Sequence, residues 1–281
     1  MPCDAYAVTV LPVDQIAWHE DGRAQHARWR SASGAPPPRR VVVAGDDMRA
    51  DDAYHLACQG TALLWRGDFQ NARQLLNAVA RRIDRPRRRR PRRAEPSQVQ
   101  AFHLHRQATA QRARALAMLL MPFDPGHVIP LRRAPDVQAA CVEVYGPDDR
   151  PYVTPLRELL GLIGAHEWRV KGVPIGAMGG DRIHPHYGVF SPIRGEYVNL
   201  VAEAPLPSAR VAFDIGTGTG VLAAVLARRG MNRIVATDLD PRALACAQEN
   251  IERLGMAEQV DIVQADLFPE GRAGLIVCNP P

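Results

Sequence analysis

The chain has 281 residues, of which 46% are hydrophobic and 23% charged, a balance ordinary for a folded protein long enough for two domains. No stretch approaches the ~18 consecutive apolar residues of a membrane span, and the N-terminus carries acids in place of a basic-then-apolar leader, so a cytoplasmic protein without a membrane partner is expected. The five cysteines, Cys3, Cys58, Cys141, Cys246 and Cys278, are scattered without paired spacing, which predicts reduced thiols and neither a disulfide frame nor a zinc cluster.

Residues 1–48 contain Pro36-Pro37-Pro38 and weak periodicity, and are expected to be poorly ordered apart from Val41-Val42-Val43. From Asp51 to Ile83 the pattern predicts two helices broken at Gly67-Asp68. The stretch from Leu64 to Phe69, with Ala72 and Leu75, is similar to one helical repeat unit, although a single copy equally describes a packed helix hairpin. Ser97 caps a long predicted helix through about Met121, and Thr154-Pro155 opens another through about Lys171. Residues 49–175 are thus expected to form a helical domain, interrupted by an arginine-rich linker at 84–96.

That linker dominates the charge. Between Arg81 and Arg93 stand nine arginines and one acid, Asp84, so this segment carries +8 against a net +5 and the remainder of the chain is net negative. Arg87-Arg88-Arg89-Arg90 lies between Pro86 and Pro91 and is expected to be solvated. It reads either as a phosphate-attracting segment or as a solubilising tether whose arginine content follows coding bias, since Lys171 is the sole lysine.

Residues 182–281 change character. His184 and His186 flank a proline on a predicted loop, with no acid or cysteine at metal-ligand spacing. Tyr187-Gly188-Val189-Phe190-Ser191 follows, then a short helix from Arg194 to Val201. Val211-Ala212-Phe213 is a predicted buried strand, Thr219 to Arg229 a helix stopped by Gly230, and Ile234-Val235-Ala236-Thr237 a second strand. Asp240-Pro241 opens a helix ending at Gly255. Val260–Val263 and Leu275–Cys278 supply two further strands. Strands alternating with helices at this interval predict a parallel α/β sheet, and ligands collect at its carboxyl edge.

The glycine loop Asp214-Ile215-Gly216-Thr217-Gly218-Thr219-Gly220 departs from the dinucleotide pattern G-x-G-x-x-G, because Val221 stands where the third glycine belongs. Asp238 ends the second strand about 20 residues past the loop, a spacing at which an acid takes ribose hydroxyls; by itself it would also serve as a helix cap. Asp266 and Leu267 follow the third strand, and Asn279-Pro280-Pro281 follows the fourth. An amide oxygen on Asn279 and the carbonyl of Pro280 would accept both N–H bonds of a conjugated amine. Its lone pair would then be free to face an electrophile, with proline stiffening the presentation.

D-x-G-x-G-x-G followed by these acids and by Asn-Pro-Pro resembles the class I S-adenosylmethionine-dependent methyltransferases. Gly188-Val189-Phe190-Ser191 is similar to the entry segment of ribosomal guanine-N2 methyltransferases, and P-x-R-x-E from Pro192 to that of release-factor glutamine methyltransferases; Phe190 in a packing strand is the alternative reading. The resemblance implies an α/β fold, in which an incomplete Rossmann-like class I methyltransferase sheet of about four parallel strands is preceded by the helical domain. It implies S-adenosyl-L-methionine as cofactor, touched by Asp214, Gly216, Thr217, Gly218, Gly220, Asp238, Leu239, Asp266, Leu267 and Phe190. Asp238 would hold the ribose and Asp266 the adenine amino group, while Asn279, Pro280 and Pro281 would act at the acceptor. The family motif has an aromatic residue after the second proline, so a chain truncated at its C-terminus is expected. The acceptor is expected to be a nitrogen of a nucleic-acid base, RNA first, with glutamine of a protein substrate as the alternative. An inactive fragment or helical binding module is the non-enzymatic one.

Overall fold

The computed structural model describes residues 14–85, 97–193, 195–208 and 211–279, and these divide into two compact units on either side of the Ile163–Gly164 bond. The expectations for Cys3, for the arginine run Arg87–Arg90 and for Pro280 and Pro281 lie outside the described residues.

The first unit is not all-helical. Strands β1 (Gln15–Glu20) and β2 (Arg23–Trp29) form an antiparallel hairpin closed by Asp21-Gly22, both at positive φ (51° and 73°). Asp-Gly is the dipeptide that such a two-residue turn demands, and Ile16 and Trp18 alternate inward from β1 into the core. The expected disorder of residues 1–48 is therefore corrected for residues 15–44, where β3 (Arg40–Ala44) also forms. Next come α1 (Ala50–Cys58), β4 (Thr61–Trp65), α2 (Phe69–Ile83), α3 (Gln98–Leu116), β5 (Leu119–Phe123), α4 (Gln138–Tyr145), β6 (Tyr152–Pro155) and α5 (Leu156–Lys171), whose later residues belong to the second unit.

The strands join in one six-stranded mixed sheet, ordered β1-β2-β6-β5-β4-β3, with β3, β4 and β5 mutually parallel. Residues 61–65 and 119–123 had the pattern of helix because short, wholly buried apolar runs carry no period that separates strand from helix. The stretch resembling a helical repeat is the end of β4 and a turn: Trp65 donates its indole N–H to the Asp68 carbonyl (3.0 Å), and the Asp68 carboxylate accepts the Gln70 N–H (2.9 Å) to cap α2. The Ser97 cap forms as expected, as a full capping box with Gln100.

The second unit opens with the short hairpin β7 (Val173–Pro174) and β8 (Arg182–Ile183), then α6 (Glu196–Glu203), β9 (Val211–Ile215), α7 (Val221–Arg228), β10 (Arg233–Asp238), α8 (Pro241–Arg253), β11 (Val260–Gln264) and β12 (Leu275–Cys278). β9 to β12 form a four-stranded sheet in the order β11-β10-β9-β12, all parallel. In chain order this is 3-2-1-4, the strand order of a doubly wound Rossmann-like sheet. It matches the sheet expected from the sequence.

Helix α7 is apolar all round, and Val221 to Ala227 are all buried. Each such Val or Leu contributes about 1.5–3 kcal/mol, which holds α7 to the sheet beneath the glycine loop. Arg229 donates to the carbonyls of Val201 and Ala204 (both 2.6 Å), tying the end of α6 to the end of α7. Gly220 caps α7 in the left-handed region (φ 79°), and a Cβ there would sit 3.3 Å from the Ala247 backbone and side chain on α8.

Gly220→Ala is therefore expected to destabilise the chain more than Gly230→Ala. Both variants place a side chain at positive φ, costing ~1–2 kcal/mol, but a Cβ at Gly230 would meet nothing within 4 Å. The two midpoints of urea unfolding measure the difference, and equal losses would remove the packing role assigned to Gly220.

Candidate functional site

Parallel register brings three strand ends to one edge. Ile215 pairs with Thr237 on one side and with Cys278 on the other, so the residues that follow each strand emerge side by side. They border a cleft of about 820 Å³. Of the predicted residues it brings together Phe190, Asp214, Gly216, Thr217, Gly218, Asp238, Leu239, Leu267 and Asn279.

The floor is the glycine loop. Thr217 donates its backbone N–H to the Thr237 carbonyl (2.8 Å), and Gly218 donates its N–H to the Asp238 carboxylate (3.1 Å). The other Asp238 oxygen accepts the Asp240 N–H (3.0 Å), so the carboxylate is held from two sides at the end of β10. Gly216 has φ 69°, and a Cβ built on it would meet no protein atom within 4 Å. Because Gly216 also borders the cleft, the space that glycine leaves free is room for a ligand.

Under the loop lies Asp214, 1% exposed. One of its oxygens accepts both the Thr217 hydroxyl (2.7 Å) and the Ala223 N–H in the first turn of α7 (3.0 Å). Burial pushes its pKa up to about 6 against the lowering effect of those two bonds, and the charge of Asp238 adds to the rise. Tyr197 on α6 also borders the cleft; burial, and secondarily Asp214, push its hydroxyl up to about 12.

Two of the described predicted residues do not border the cleft. Gly220 serves the close approach of α7 to α8, as its distance from Ala247 shows. Asp266 is exposed beside it, between Ala265 and Leu267, which do border it. Leu267 has φ 66°, an uncommon conformation for a branched side chain, and its carbonyl accepts the Thr237 hydroxyl (2.8 Å). Phe190 is 64% exposed and lies outside any strand, which removes the reading of a core packing strand. Its ring centroid is 6.2 Å from that of Tyr197.

Sequence reading missed Glu196, Tyr197, Asp240 and Cys278 as cleft residues. The signal for the first pair was their place in the short helix that follows the Gly188–Ser191 entry segment; for Cys278 it was adjacency to Asn279. His184 and His186 are structural: His184 Nδ1 bonds the Arg169 carbonyl (2.6 Å), and His186 Nε2 meets Glu249 (2.8 Å).

A family model described as "Ribosomal protein L11 methyltransferase (PrmA)" matches residues 200–280, the segment that contains this cleft's loop and strands. The chain is 51% identical over 69 residues to a ribosomal protein L11 methyltransferase of Pelotomaculum thermopropionicum, covering 24% of this chain and 22% of that protein. It is 34% identical over 99 residues to a tRNA1(Val) (adenine(37)-N6)-methyltransferase of Shewanella loihica, covering 32% and 41%. A release factor glutamine methyltransferase of Cereibacter sphaeroides is 41% identical over 92 residues, covering 31% and 33%. The chain thus spans between 22% and 41% of the length of these relatives, each of which is named a methyltransferase.

Proposed function

We propose that the cleft is the cofactor half of an S-adenosyl-L-methionine-dependent N-methyltransferase, and that the acceptor is an exocyclic or amide nitrogen. The observation that carries this reading is the carboxylate of Asp238 fastened to Gly218 at the lip of a glycine-lined cleft that also reaches Asn279. The relatives named for tRNA adenine N6 and for release-factor glutamine support a nitrogen acceptor.

The residues present fit the cofactor. Asp238 keeps acceptor capacity for ribose hydroxyls after its two backbone bonds, since an ionised carboxylate offers about four lone-pair sites. Leu239 and Leu267 supply apolar surface for a flat ring, and the turn at Ala265–Leu267, with Asp266 at its rim, would border the adenine. Gly216 and Gly218 leave backbone in place of side chains, and Phe190 with Tyr197 would cover the methionine end. Bound there, S-adenosyl-L-methionine supplies a methyl group on a cationic sulfur.

Asn279, the residue next to Cys278 at the end of β12, would accept an acceptor N–H through its amide oxygen. Catalysis then rests on alignment and on acceptors aimed at charge developing on the nitrogen. A nucleic-acid base is the leading acceptor and protein glutamine the alternative. A ribosomal protein is a further candidate acceptor, favoured by the family model and by the relative, both named for ribosomal protein L11.

Calorimetric titration of the chain with S-adenosyl-L-methionine, with NAD as competitor, is expected to give saturable binding indifferent to NAD. Asp238→Ala should weaken it at least tenfold, whereas binding that Asp238→Ala leaves intact would overturn the cleft assignment. Transfer of labelled methyl to RNA is expected to vanish in Asn279→Ala at unchanged cofactor affinity. Label appearing in protein and not in RNA would exchange the leading acceptor for the alternatives.

Affinity is also expected to depend on pH. Asp214 keeps its proton in the folded protein up to about pH 6, while the unfolded chain loses it near the ordinary 3.8. The folded form therefore binds more protons in that window, and this group's contribution to stability falls as pH rises from about 4 to about 6. A cationic ligand favours the ionised form, so cofactor affinity should rise through about pH 6 and flatten above it. Asp214→Asn should abolish that step; an unchanged profile in the variant would assign the titration elsewhere.

A further inference from the structure

Helix α3 is unlike every other helix of the first unit. From Ser97 to Gln111 each residue is exposed, so among the described residues nothing packs closely on these four turns of helix. Its exposed apolar groups are substantial: Val99 is 66% exposed, Phe102 57% and Leu104 39%. A helix of ordinary propensity gains most of its stability from a packed face, and this one has a face without a described occupant.

Charge specifies the occupant. There is no Asp or Glu between Ser97 and Phe123, whereas Arg106, Arg112 and Arg114 stand on α3. Arg112 is neutralised by Asp84 at 2.8 Å, but among the described residues Arg106 and Arg114 form no ion pair, nor do Arg81 and Arg85 at the end of α2 and just beyond. The helix also follows the most arginine-rich stretch of the sequence. Arg106 sits over the Phe102 ring, 5.7 Å from Cζ to centroid. An exposed aromatic ring beside guanidinium groups is what single-stranded polynucleotides use, bases stacking on the ring while phosphates meet the arginines.

We propose that the Phe102–Arg106–Arg114 surface of α3 is a docking site for single-stranded nucleic acid. It is independent of methyl transfer, since its readout is binding alone, and it would persist if the cleft proved to serve another cofactor. If the acceptor is an RNA base, this surface would bind the substrate strand. Exposed Phe102 contributes stacking, which tolerates any base, and the arginines contribute a salt-sensitive attraction blind to sequence.

The test uses the whole chain and fluorescein-labelled 20-mers of oligo(U) and oligo(dT), with anisotropy read over a salt series, beside a duplex of the same length. Phe102→Ala is expected to weaken single-strand binding about tenfold without altering the salt slope, and Phe102→Trp to restore it. Arg106→Ala with Arg114→Ala should lower the magnitude of the slope by about 1.4, at about 0.7 for each phosphate of a single strand that is no longer neutralised. Unaltered far-UV circular dichroism establishes that the variants fold. A preference for RNA over DNA or the converse identifies the source of the strand, and either supports the site. Single-strand binding unaffected by all three substitutions would move the site to the neighbouring arginine run and overturn the proposal. So would equal binding of duplex with no effect of Phe102→Ala, or binding to phosphatidylserine vesicles with none to oligonucleotide.

Discussion

The hydrogen bond from the Gly218 N–H to the Asp238 carboxylate, 3.1 Å long, joins the loop after the first strand of the parallel sheet to the end of the second. Much of the cleft follows from it. With Thr217 held to the Thr237 carbonyl by its own backbone N–H, the loop is laid across the strand ends in one conformation. The glycines are then positioned so that backbone forms the floor, and Asp238 turns its remaining acceptor capacity outward. Parallel register does the rest, because strands whose ends coincide deliver Gly216, Leu239 and Asn279 to one edge without any interaction specific to those side chains.

Beneath this arrangement Asp214 shows how a polar group is tolerated in an apolar unit. It is surrounded by the helix α7 and by strand interiors, and it is admitted because a hydroxyl and a helix-start N–H both donate to it. Those bonds tie the loop to the first turn of α7, so the residue is at once a fastener and an electrostatic element directed at the cleft. Burial nonetheless wins over the two hydrogen bonds in setting its proton affinity, and a cation in the cleft would reverse that balance.

The first unit is held together differently. Its mixed sheet is sealed by residues such as Leu64, Leu120 and Met121, each fully buried, whereas among the described residues the first four turns of α3 are exposed. A capping box at Ser97 starts this helix and Arg112 fastens its later turns to Asp84, so local interactions and one ion pair hold what packing does not. A surface with that combination of exposed ring and uncompensated arginine suits a polyanion with flat bases, and a chain that modifies a base would have use for it.

In the second unit the sequence by itself determined nearly all of the architecture. Strand β12 at Leu275–Cys278, the Asp240-Pro241 helix start and the glycine stops at Gly230 and Gly255 were all legible, because local rules decide them: β-branched runs between helix caps have few other readings. The loop and Asp238 were legible in the sequence as residues of one strand edge, and the structure places Gly216, Thr217, Gly218 and Asp238 together on the cleft. Only tertiary structure decided that Gly220 uses its missing Cβ to admit Ala247 and that Tyr197 closes on the cleft, since both depend on how separate elements approach each other. The same holds for the first unit. Thr61–Trp65 and Leu119–Phe123 are short apolar runs whose helix or strand character is settled by the neighbour available to take their hydrogen bonds. Here that neighbour was a sheet whose far edge is an Asp-Gly hairpin, remote from both runs in the sequence.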